Sequence, residues 1–385
     1  MSNFISLKEI IDISKGKKHD NVFDYQIDGF SRYIQIDDLR NDTNLKYTND
    51  KGVSVTEKDV IIAWDGANAG TIGFNLAGYI GSTLARLKIK DKNIDTKFLG
   101  WFLKSKFKLL RSQTTGATIP HISRDALEKL QIPKVPLPIQ QKIASILEKA
   151  DAARQKRAET LKLTEQFLQS AFLDMFGDPV KNEKGWKVNS LVEITSIKGG
   201  GTPSMKNPEY YKGNIPWVTP KDMKALFIST SIDKISEDAI EGSSTKLIDP
   251  FSILMVNRSG ILKNSLPVAI NLLPVTMNQD MKAFKCNKNI DPFYLLYHLI
   301  VAAPFILKSV RSTTVDNISS EVLKKIQVML PPLSLQQKFA TLVEKVEKLR
   351  EKQRQSEAEL EQLFQSLMQR AFNGELIKES EEVLK

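Results

Sequence analysis

The chain has 385 residues, of which 41% are hydrophobic and 26% are charged, and its formal net charge is +10. This length favours two or three domains over one, and the basic surplus favours a polyanionic partner such as nucleic acid, although charge alone leaves a basic protein without such a partner equally open. The single cysteine, Cys286, excludes an internal disulfide, fits a reducing cytoplasm and lies in a segment typical of a buried thiol rather than a nucleophile.

The first predicted domain, residues 1–136, combines short strands with one helical stretch. Strands are predicted at residues 59–64 and 85–90, and a helix at residues 96–110. Polar, glycine-containing loops separate them, and such side chains suit the edges of bases and the phosphates of DNA. Each of these residues taken singly also fits an ordinary surface role. The candidate DNA contacts here are Trp64, Asp65, Asn68, Arg86, Thr114, Thr115 and Thr118.

A long connector helix is predicted over residues 137–177. It ends at Gly177 and Pro179, which are typical helix stops. Its spacing of four and three residues predicts a coiled-coil seam. The predicted seam residues are Ile139, Ile143, Ile146, Ala150, Ala153, Arg157, Thr160, Thr164, Phe167 and Ala171.

The second predicted domain, residues 178–332, has the same character. Strands are predicted at residues 252–256 and 281–286, and a helix at residues 292–308. The apolar stretch 294–307 contains His298 and Pro304 and is too short for a membrane span, and the three histidines of the chain are too scattered to indicate a metal site. The candidate DNA contacts here are Lys198, Gly200, Thr202, Ser204, Lys206, Asn257, Arg258, Ser259, Gln279, Arg311, Thr313 and Thr314.

A second connector helix is predicted over residues 333–374, with a C-terminal tail at residues 375–385. Asn373 and Gly374 are its predicted stop. The predicted seam is cleaner than in the first connector and has a polar layer near its middle. Its residues are Leu335, Phe339, Leu342, Val346, Leu349, Gln353, Ser356, Leu360, Leu363 and Leu367.

The two halves of the chain form an internal repeat. The segments 127–142 and 323–338 share eight of sixteen positions at an offset of 196, including the Gln-Gln-Lys triplets that begin at Gln140 and Gln336. Near the start of each half the offset is 184, as in the Ser-Leu-x-Glu-Ile segments at Ser6 and Ser190. A repeat this long indicates a duplicated domain followed by a duplicated helix.

Neither connector helix is stable alone, because its half-apolar seam needs a partner, and the other connector is the obvious one. Since each domain begins where the preceding helix ends, pairing makes the two helices antiparallel. The predicted fold class is therefore α+β: two recognition domains joined by two long antiparallel coiled-coil helices, with a pseudo-two-fold internal repeat.

Two segments have partial similarity to catalytic motifs. Asn207-Pro208-Glu209-Tyr210 resembles the Asn-Pro-Pro-Tyr motif of amino-methyltransferases, but Glu209 replaces a proline and no cofactor-binding glycine loop accompanies it. Gly199 to Gly201 lack the Lys-Ser/Thr ending of a phosphate-binding loop. The sequence therefore predicts a protein that is not an enzyme.

The repeated Pro-Leu-x-x-Gln-Gln-Lys segment, the long helix after it and the Phe-Gly-Asp-Pro end of the first copy resemble the specificity subunits of Type I restriction-modification systems. Gly-Gly-Thr-Pro-Ser at 200–204 and Ile-Pro-Trp at 215–217 strengthen the resemblance, which covers essentially the whole chain. The first domain departs from it, with Lys-Gly-Lys at 15–17 and Ser-Arg-Tyr at 31–33 in the equivalent places.

The resemblance implies two target-recognition domains that each read half of a bipartite site in double-stranded DNA, separated by spacer helices that also dock two modification subunits. It implies that S-adenosylmethionine, Mg²⁺ and ATP are used by the modification and motor-nuclease partners, and that this chain binds none of them. A coiled-coil adaptor between proteins and the DNA-reading half of a fused methyltransferase-nuclease are the alternatives. The expected location is the cytoplasm, without a membrane partner.

Overall fold

In a computed structural model the chain folds into two compact units, and the structure describes residues 4–41, 43–116, 119–308 and 317–377. Unit 1 comprises Met1–Ala158 and Gln355–Lys385, and unit 2 comprises Glu159–Arg354. Sheets and helices occur in both units, so the predicted α+β class is confirmed. Each long helix contributes one part to unit 1 and the other part to unit 2.

The globular part of unit 1 contains eleven short strands within the described residues. They are β1 (Phe4–Ser6), β2 (Ile11–Lys15), β3 (Val22–Phe23), β4 (Ser31–Ile34), β5 (Tyr47–Thr48), β6 (Ser54–Val55), β7 (Asp59–Ala63), β8 (Ile72–Phe74), β9 (Gly78–Ile80), β10 (Leu84–Ile89) and β11 (Gln131–Pro133). Its helices are α1 (Leu7–Ile10), α2 (Thr96–Ser105), α3 (Phe107–Ser112) and α4 (Arg124–Glu128), with a 3-10 turn at Asp37–Leu39 and the long α5 (Leu137–Phe176) after them.

Unit 2 repeats this order of elements. Its strands are β12 (Val188–Ser190), β13 (Thr195–Gly199), β14 (Ile215–Val218), β15 (Phe227–Ile228), β16 (Lys234–Ile235), β17 (Ser252–Val256), β18 (Val268–Asn271), β19 (Thr276–Met277), β20 (Met281–Cys286) and β21 (Gln327–Met329). Its helices are α6 (Leu191–Ile194), α7 (Glu237–Glu241), α8 (Pro292–Leu307) and α9 (Ser320–Lys325), with 3-10 turns at Pro208–Tyr211 and Gly260–Lys263 and the long α10 (Leu333–Phe372) after them.

The central sheets of the two units share four strands in the same order, and the sheet of unit 2 has one further strand, β15. In unit 1 the strand order is β2-β10-β7-β8, and in unit 2 it is β13-β20-β17-β18-β15. The antiparallel pairs β1-β11 and β12-β21 also correspond. The units also differ in a second sheet, which has five strands in unit 1, in the order β3-β5-β4-β9-β6, and three in unit 2, in the order β16-β14-β19. The structure thus confirms the internal repeat predicted from the sequence.

The predicted elements of the domains are found with small changes at their ends. The strands at 252–256 and 281–286 have the predicted bounds, and those in the first domain shift by one residue at one or both ends. The helix predicted at 96–110 is instead two helices that meet at Lys106. Apolar spacing does not reveal such a break, because both helices bury the same side of the chain.

Several identical positions of the repeat are helix caps. Asp95 accepts a hydrogen bond from the backbone N–H of Phe98 at 2.8 Å, and Asp291 accepts one from Phe293 at 2.8 Å. Ser123 and Ser319 cap α4 and α9 in the same way. Because the first N–H groups of a helix lack partners within it, these side chains fix where each helix begins.

The first glutamine of each Gln-Gln-Lys triplet joins a long helix to its domain. The side chain of Gln140 is buried; its Oε1 accepts from the N–H of Asp95 at 2.9 Å, and its Nε2 donates to the carbonyls of Asn93 and Val135 at 2.8 Å each. Gln336 makes the same three bonds in unit 2. Its partners, at the equivalent positions, are Asp291, Asn289 and Pro331.

In unit 1 the start of α5 packs beside the end of α10, so the two helices are antiparallel there. The guanidinium of Arg154 on α5 bonds Glu361 on α10 at 2.8 Å and Asp151 at 2.7 Å, and it lies 4.6 Å from the ring centre of Phe364. The hydrogen bond from Arg154 lowers the pKa of Glu361. Leu376, within the residues predicted as a tail, is also buried in this core.

Unit 2 contains the reverse combination, in which the end of α5 packs beside the start of α10. The ring centres of Phe172 and Phe176 on α5 both lie 5.6 Å from that of Phe339 on α10. Both units therefore show the antiparallel pairing that the sequence predicted. No helix within the described ranges is both long enough and apolar enough to cross a membrane.

The prediction of an unbroken seam is wrong at four apolar positions, one of which is Ala153, an exposed residue of α5. Phe167, Leu349 and Leu363 are about half exposed, whereas the neighbouring Leu168 and Phe364 are buried. The reason is that each helix packs against its twin and against a globular domain at once. The buried face is therefore wider than a two-in-seven seam, and the domain contacts decide which side chains it includes.

Candidate nucleic-acid interface

In each unit three chain segments meet at one edge of the central sheet. Strands β2 and β7 both run antiparallel to β10, so the ends of β2 and β7 lie beside the start of β10. In unit 2 the ends of β13 and β17 lie beside the start of β20 for the same reason. We call these two places the sheet-edge loops of unit 1 and of unit 2. Most of the described candidate contacts lie in them.

The backbone of the unit 2 sheet-edge loops is tightly bonded. The N–H groups of Asn257 and Arg258 both donate to the carbonyl of Asp280, at 2.7 and 3.1 Å. The carbonyl of Asn257 accepts from the N–H of Ile318 at 2.8 Å, and Arg258 forms a β-bridge with Asn317. The segment that precedes α9 is thereby held against the end of β17.

The same bonds occur in unit 1 between different residues. The N–H groups of Trp64 and Asp65 donate to the carbonyl of Thr83 at 2.7 and 3.3 Å. The carbonyl of Trp64 accepts from the N–H of Ile122 at 2.9 Å, and Asp65 forms a β-bridge with His121. The two units therefore have the same backbone hydrogen bonds in their sheet-edge loops. We call this shared backbone arrangement the loop frame. It carries different side chains in the two units.

In unit 2 the frame carries five hydrogen-bonded polar side chains near the start of β20. The Nε and Nη2 of Arg258 lie 2.8 and 2.7 Å from the Oδ1 of Asp280, and the Oδ2 of Asp280 accepts from the Nδ2 of Asn278 at 3.1 Å. Beside them, the Nδ2 of Asn257 donates to the Oδ1 of Asn317 at 3.0 Å. Of these, the sequence analysis named Asn257 and Arg258 and missed Asp280 and Asn317.

The glycine-rich segment of unit 2 lies against the same strand start. A Cβ on Gly200 would be 1.9 Å from the carbonyl oxygen of Asn278, so only glycine permits this approach. Thr202 hydrogen-bonds the side chain of Gln279. Structure therefore brings Gly200, Thr202 and Gln279 together with Arg258, as one surface formed from distant parts of the sequence.

The other described candidates of unit 2 lie around this surface. Ser204 and Lys206 are exposed in the segment that follows Thr202. Ser259 caps the 3-10 turn after Arg258, and the ammonium group of Lys198, on β13, lies 3.9 Å from Asp249. Three further candidates lie outside the described residues, namely Arg311, Thr313 and Thr314.

In unit 1 the frame carries an acidic centre between two basic groups. The carboxylate of Asp65 lies 2.5 Å from the Nζ of Lys15 and 2.5 Å from the Nδ1 of His121. Burial alone would raise the pKa of Asp65, but the hydrogen bonds from Lys15 and His121 outweigh burial and lower it. Nearby, the guanidinium of Arg40 bonds the side chain of Asn68. Sequence reasoning missed Lys15, His121 and Arg40.

A signal for two of these missed residues was present in the repeat. His121 stands at an offset of 196 from Asn317, and Lys15-Gly16 at an offset of 184 from Gly199-Gly200. The sequence alignment already placed Lys15 opposite the glycine-rich segment, and extending it to His121 would have identified both residues as parts of a sheet-edge loop. No comparable signal exists for Arg40, whose approach to Asn68 depends on the fold.

The remaining candidates of unit 1 are less uniform. Arg86 lies within β10, where its guanidinium donates to the carbonyl of Ser54 at 2.7 Å and to the hydroxyl of Ser14 at 3.3 Å. The structure therefore does not bring Arg86 into the loop surface. Thr115 pairs through its backbone with the segment that carries His121, and the Thr114 hydroxyl donates to a backbone carbonyl. Thr118 lies outside the described residues.

A comparison of the two units distinguishes residues that hold each domain together from residues that differ on the loop surface. Identical residues form the caps and the glutamine bonds, which hold each unit together. Positions on the loop frame differ, since Asp65 and His121 in unit 1 correspond to Arg258 and Asn317 in unit 2. Two equal frames thus present opposite charges and different hydrogen-bonding groups.

The fold is shared with known restriction-modification subunits. The crystal structure of the S subunit of a Type-I restriction-modification system from M. genitalium aligns with a TM-score of 0.60 and 16% identity, over 96% of this chain and 95% of that one. A chain from a structural study of complex assembly and conformational transition of the type I R-M system aligns with a TM-score of 0.58 and 21% identity, over 97% of both chains. These likenesses define the fold class.

The model of the Type I restriction modification DNA specificity domain family matches residues 2–164 and 183–362, and the chain belongs to this family. The EcoR124I/EcoR124II specificity subunit of Escherichia coli is 36% identical over 221 residues, which are 56% of this chain and 54% of that protein. The MjaVIII specificity subunit of Methanocaldococcus jannaschii is 25% identical over 404 residues, covering 97% of this chain and 92% of that protein.

Proposed function

We propose that this chain reads a bipartite site in double-stranded DNA, one half-site per unit, and carries no catalytic chemistry of its own. The observation that supports this most directly is the duplicated loop frame. The backbone bonds of Asn257 and Arg258 to Asp280 match those of Trp64 and Asp65 to Thr83, while the side chains differ. Equal frames with unequal side chains suit two readers of unequal sequences, since base edges differ in donors, acceptors and charge preference.

The charge of the chain supports DNA as the ligand. With a net charge of +10, the surface attracts a polyanion, and exposed cations such as Lys206 suit phosphates on either side of the base-reading groups. Such contacts position the protein without reading sequence. The groups on the loop frames then supply the selectivity.

We further propose that the long helices dock two modification subunits. In unit 2, Leu163, Phe167 and Leu349 are each about half exposed on the helices, and in unit 1 Leu363 is 52% exposed. Large apolar side chains that remain exposed on a charged helix surface are available for contact with a protein partner. A docking role would also explain why these apolar side chains are buried neither between the two helices nor in the domain cores.

The partners would supply the chemistry. In this proposal the modification subunits bind S-adenosylmethionine and methylate adenine, and motor-nuclease subunits use ATP and Mg²⁺. The chain acts in the cytoplasm and binds none of these cofactors. Its contribution is to hold the partners on a defined sequence.

The experiment uses the full chain co-purified with the modification subunits of its host. Sequencing of modified bases in host DNA identifies the split motif, and competition binding then compares the motif with shuffled DNA at one fixed salt concentration. We expect a preference of at least about 10³-fold for the motif, and methyl transfer by the assembly but not by this chain alone. Equal affinity for both DNAs would contradict the proposal, and methyl transfer by the isolated chain would contradict its non-catalytic part.

A further inference from the structure

Arg258 has a geometry suited to reading one kind of base. Two of its nitrogens, Nε and Nη2, bond a single carboxylate oxygen of Asp280, at 2.8 and 2.7 Å. Its side chain is 49% exposed, and the pair with Asp280 leaves the N–H groups of Nη1 and the second N–H of Nη2 as donors for a ligand. Within residues 4–41, 43–116, 119–308 and 317–377, Asp280 is the only side chain bonded to this guanidinium.

Asp280 is itself held in place. Its Oδ2 accepts from the Nδ2 of Asn278, its backbone N–H donates to the Oδ1 of Asn278 at 3.2 Å, and its carbonyl accepts from the N–H groups of Asn257 and Arg258. Asn278 is buried and fixes the start of β20. Arg258 is therefore paired with a carboxylate whose position is fixed by its own hydrogen bonds.

This arrangement favours guanine over other partners. A guanidinium offers two parallel N–H donors, which match the O6 and N7 acceptors of guanine in the major groove. Fixing the side chain before binding removes part of the entropy cost of ordering it. A contact to phosphate depends more on net positive charge, which a paired carboxylate partly neutralises.

The alternative to a DNA contact is that the Arg258–Asp280 ion pair only stabilises the fold. Exposed ion pairs contribute little to stability, because water screens them and two flexible side chains must be ordered. Here the pair lies on a loop frame whose backbone bonds are complete without it. The equivalent position in unit 1 holds Asp65, which has the opposite charge on the same frame. The frame thus does not require an arginine at this position.

We propose that Arg258 determines specificity by reading the O6 and N7 of one guanine in the half-site contacted by unit 2, and that Asp280 is its positioning residue. The inference rests on the proposed function and deepens it, because it names the base that this site recognises. It also states an asymmetry: Asp65 cannot donate to guanine, so this position of the loop frame reads guanine in one half-site only.

The test compares variants of the full chain, each assembled with the modification subunits, on a DNA set in which every base pair of the motif is substituted singly. For Arg258→Lys we expect discrimination to fall about 10- to 100-fold at one guanine of one half-site, with the other positions unchanged, because lysine keeps the charge but loses the fork. For Asp280→Asn we expect a smaller loss at the same base pair. Arg354→Lys is the matched control, since Arg354 is also 49% exposed and paired with a glutamate but lies on α10.

The outcomes separate the two levels of the proposal. If Arg258→Lys lowers affinity equally for every DNA, or changes nothing, the guanine assignment is overturned while the proposed function stands. If the unaltered assembly shows no sequence preference, the proposed function is overturned and the assignment with it. A loss confined to one guanine, shared by Arg258→Lys and Asp280→Asn and absent from Arg354→Lys, supports the assignment.

Discussion

Two hydrogen-bonded residues in the core of unit 2 are both replaced at the equivalent positions of unit 1. His298 is fully buried on α8, where its Nε2 accepts from the backbone N–H of Met329 at 3.2 Å. At an offset of 196 the first domain has Phe102 and Pro133. Proline has no N–H to satisfy, so the phenylalanine of unit 1 needs no acceptor, whereas unit 2 uses histidine to supply one.

This histidine makes unit 2 sensitive to acid. Burial lowers the pKa of His298 to about 3, because the charged imidazolium is disfavoured without water. The unfolded chain binds a proton near pH 6.5 and the folded chain does not, so stability falls as the pH drops from 6.5 towards 3. Between pH 7 and pH 5 the loss is about 2 kcal/mol.

We therefore expect His298→Phe to reduce the difference in unfolding free energy between pH 7 and pH 5 by about this amount. At pH 7 the variant loses one buried hydrogen bond, worth about 1 kcal/mol. Urea denaturation of both proteins at the two pH values measures the change. An unaltered pH dependence would show that His298 does not control it.

At the scale of secondary-structure elements, the joint between each long helix and its domain depends on one buried glutamine. Gln336 bonds three backbone groups that belong to the loop before α8 and to the chain before α10. Its neighbour Gln337 has the same chemistry but is exposed. Only the first glutamine of the triplet holds the two elements together.

The two glutamines thus provide a matched pair of variants. Gln336→Leu leaves one N–H and two carbonyls without their partner, and we expect it to cost about 2–4 kcal/mol. Gln337→Leu should change stability by less than about 0.5 kcal/mol. The free energy of unfolding in urea measures both. Similar effects at the two positions would mean that the buried bonds contribute no more than an exposed side chain.

At the scale of the whole molecule, α5 and α10 are the segments that pass between the units. The unit boundaries fall at Ala158/Glu159 on α5 and at Arg354/Gln355 on α10. Pairing inside each unit is antiparallel, so a change of length in one helix must be matched in the other. If each unit reads one half-site, we expect the length of the helices to influence the preferred spacer between half-sites.

Four residues inserted after Arg157 and four after Arg354 add about 6 Å of helix, comparable to about two base pairs of ~3.4 Å each. We expect unchanged half-site sequences and a preferred spacer longer by about one or two base pairs, within the limit set by about 34° of DNA twist per pair. Methylation by the reconstituted assembly on sites with varied spacers measures this. Insertion in one helix alone is the control. Full activity at the original spacer would show that the helices serve only to dock partners.

The sequence by itself determined the features that depend on local chemistry or on repetition. Strands at 252–256 and 281–286, the caps at Asp95 and Asp291, and the two long helices follow from apolar spacing and from side chains that bond nearby backbone groups. The duplication followed from identical residues at fixed offsets. The local features are predictable because each is encoded within a few turns of chain, and the duplication is predictable because it requires only identical residues at a fixed offset.

The tertiary structure decided what depends on pairing between distant segments. Asp65 meets Lys15 and His121 only because β2, β7 and the segment before α4 share one sheet edge, and Arg258 meets Asp280 only because β17 pairs with β20. Leu363 and Phe364 are both apolar neighbours, yet one is exposed and the other buried. Apolar periodicity states that a face is buried, but the shape of the packed partner decides which side chains lie in it.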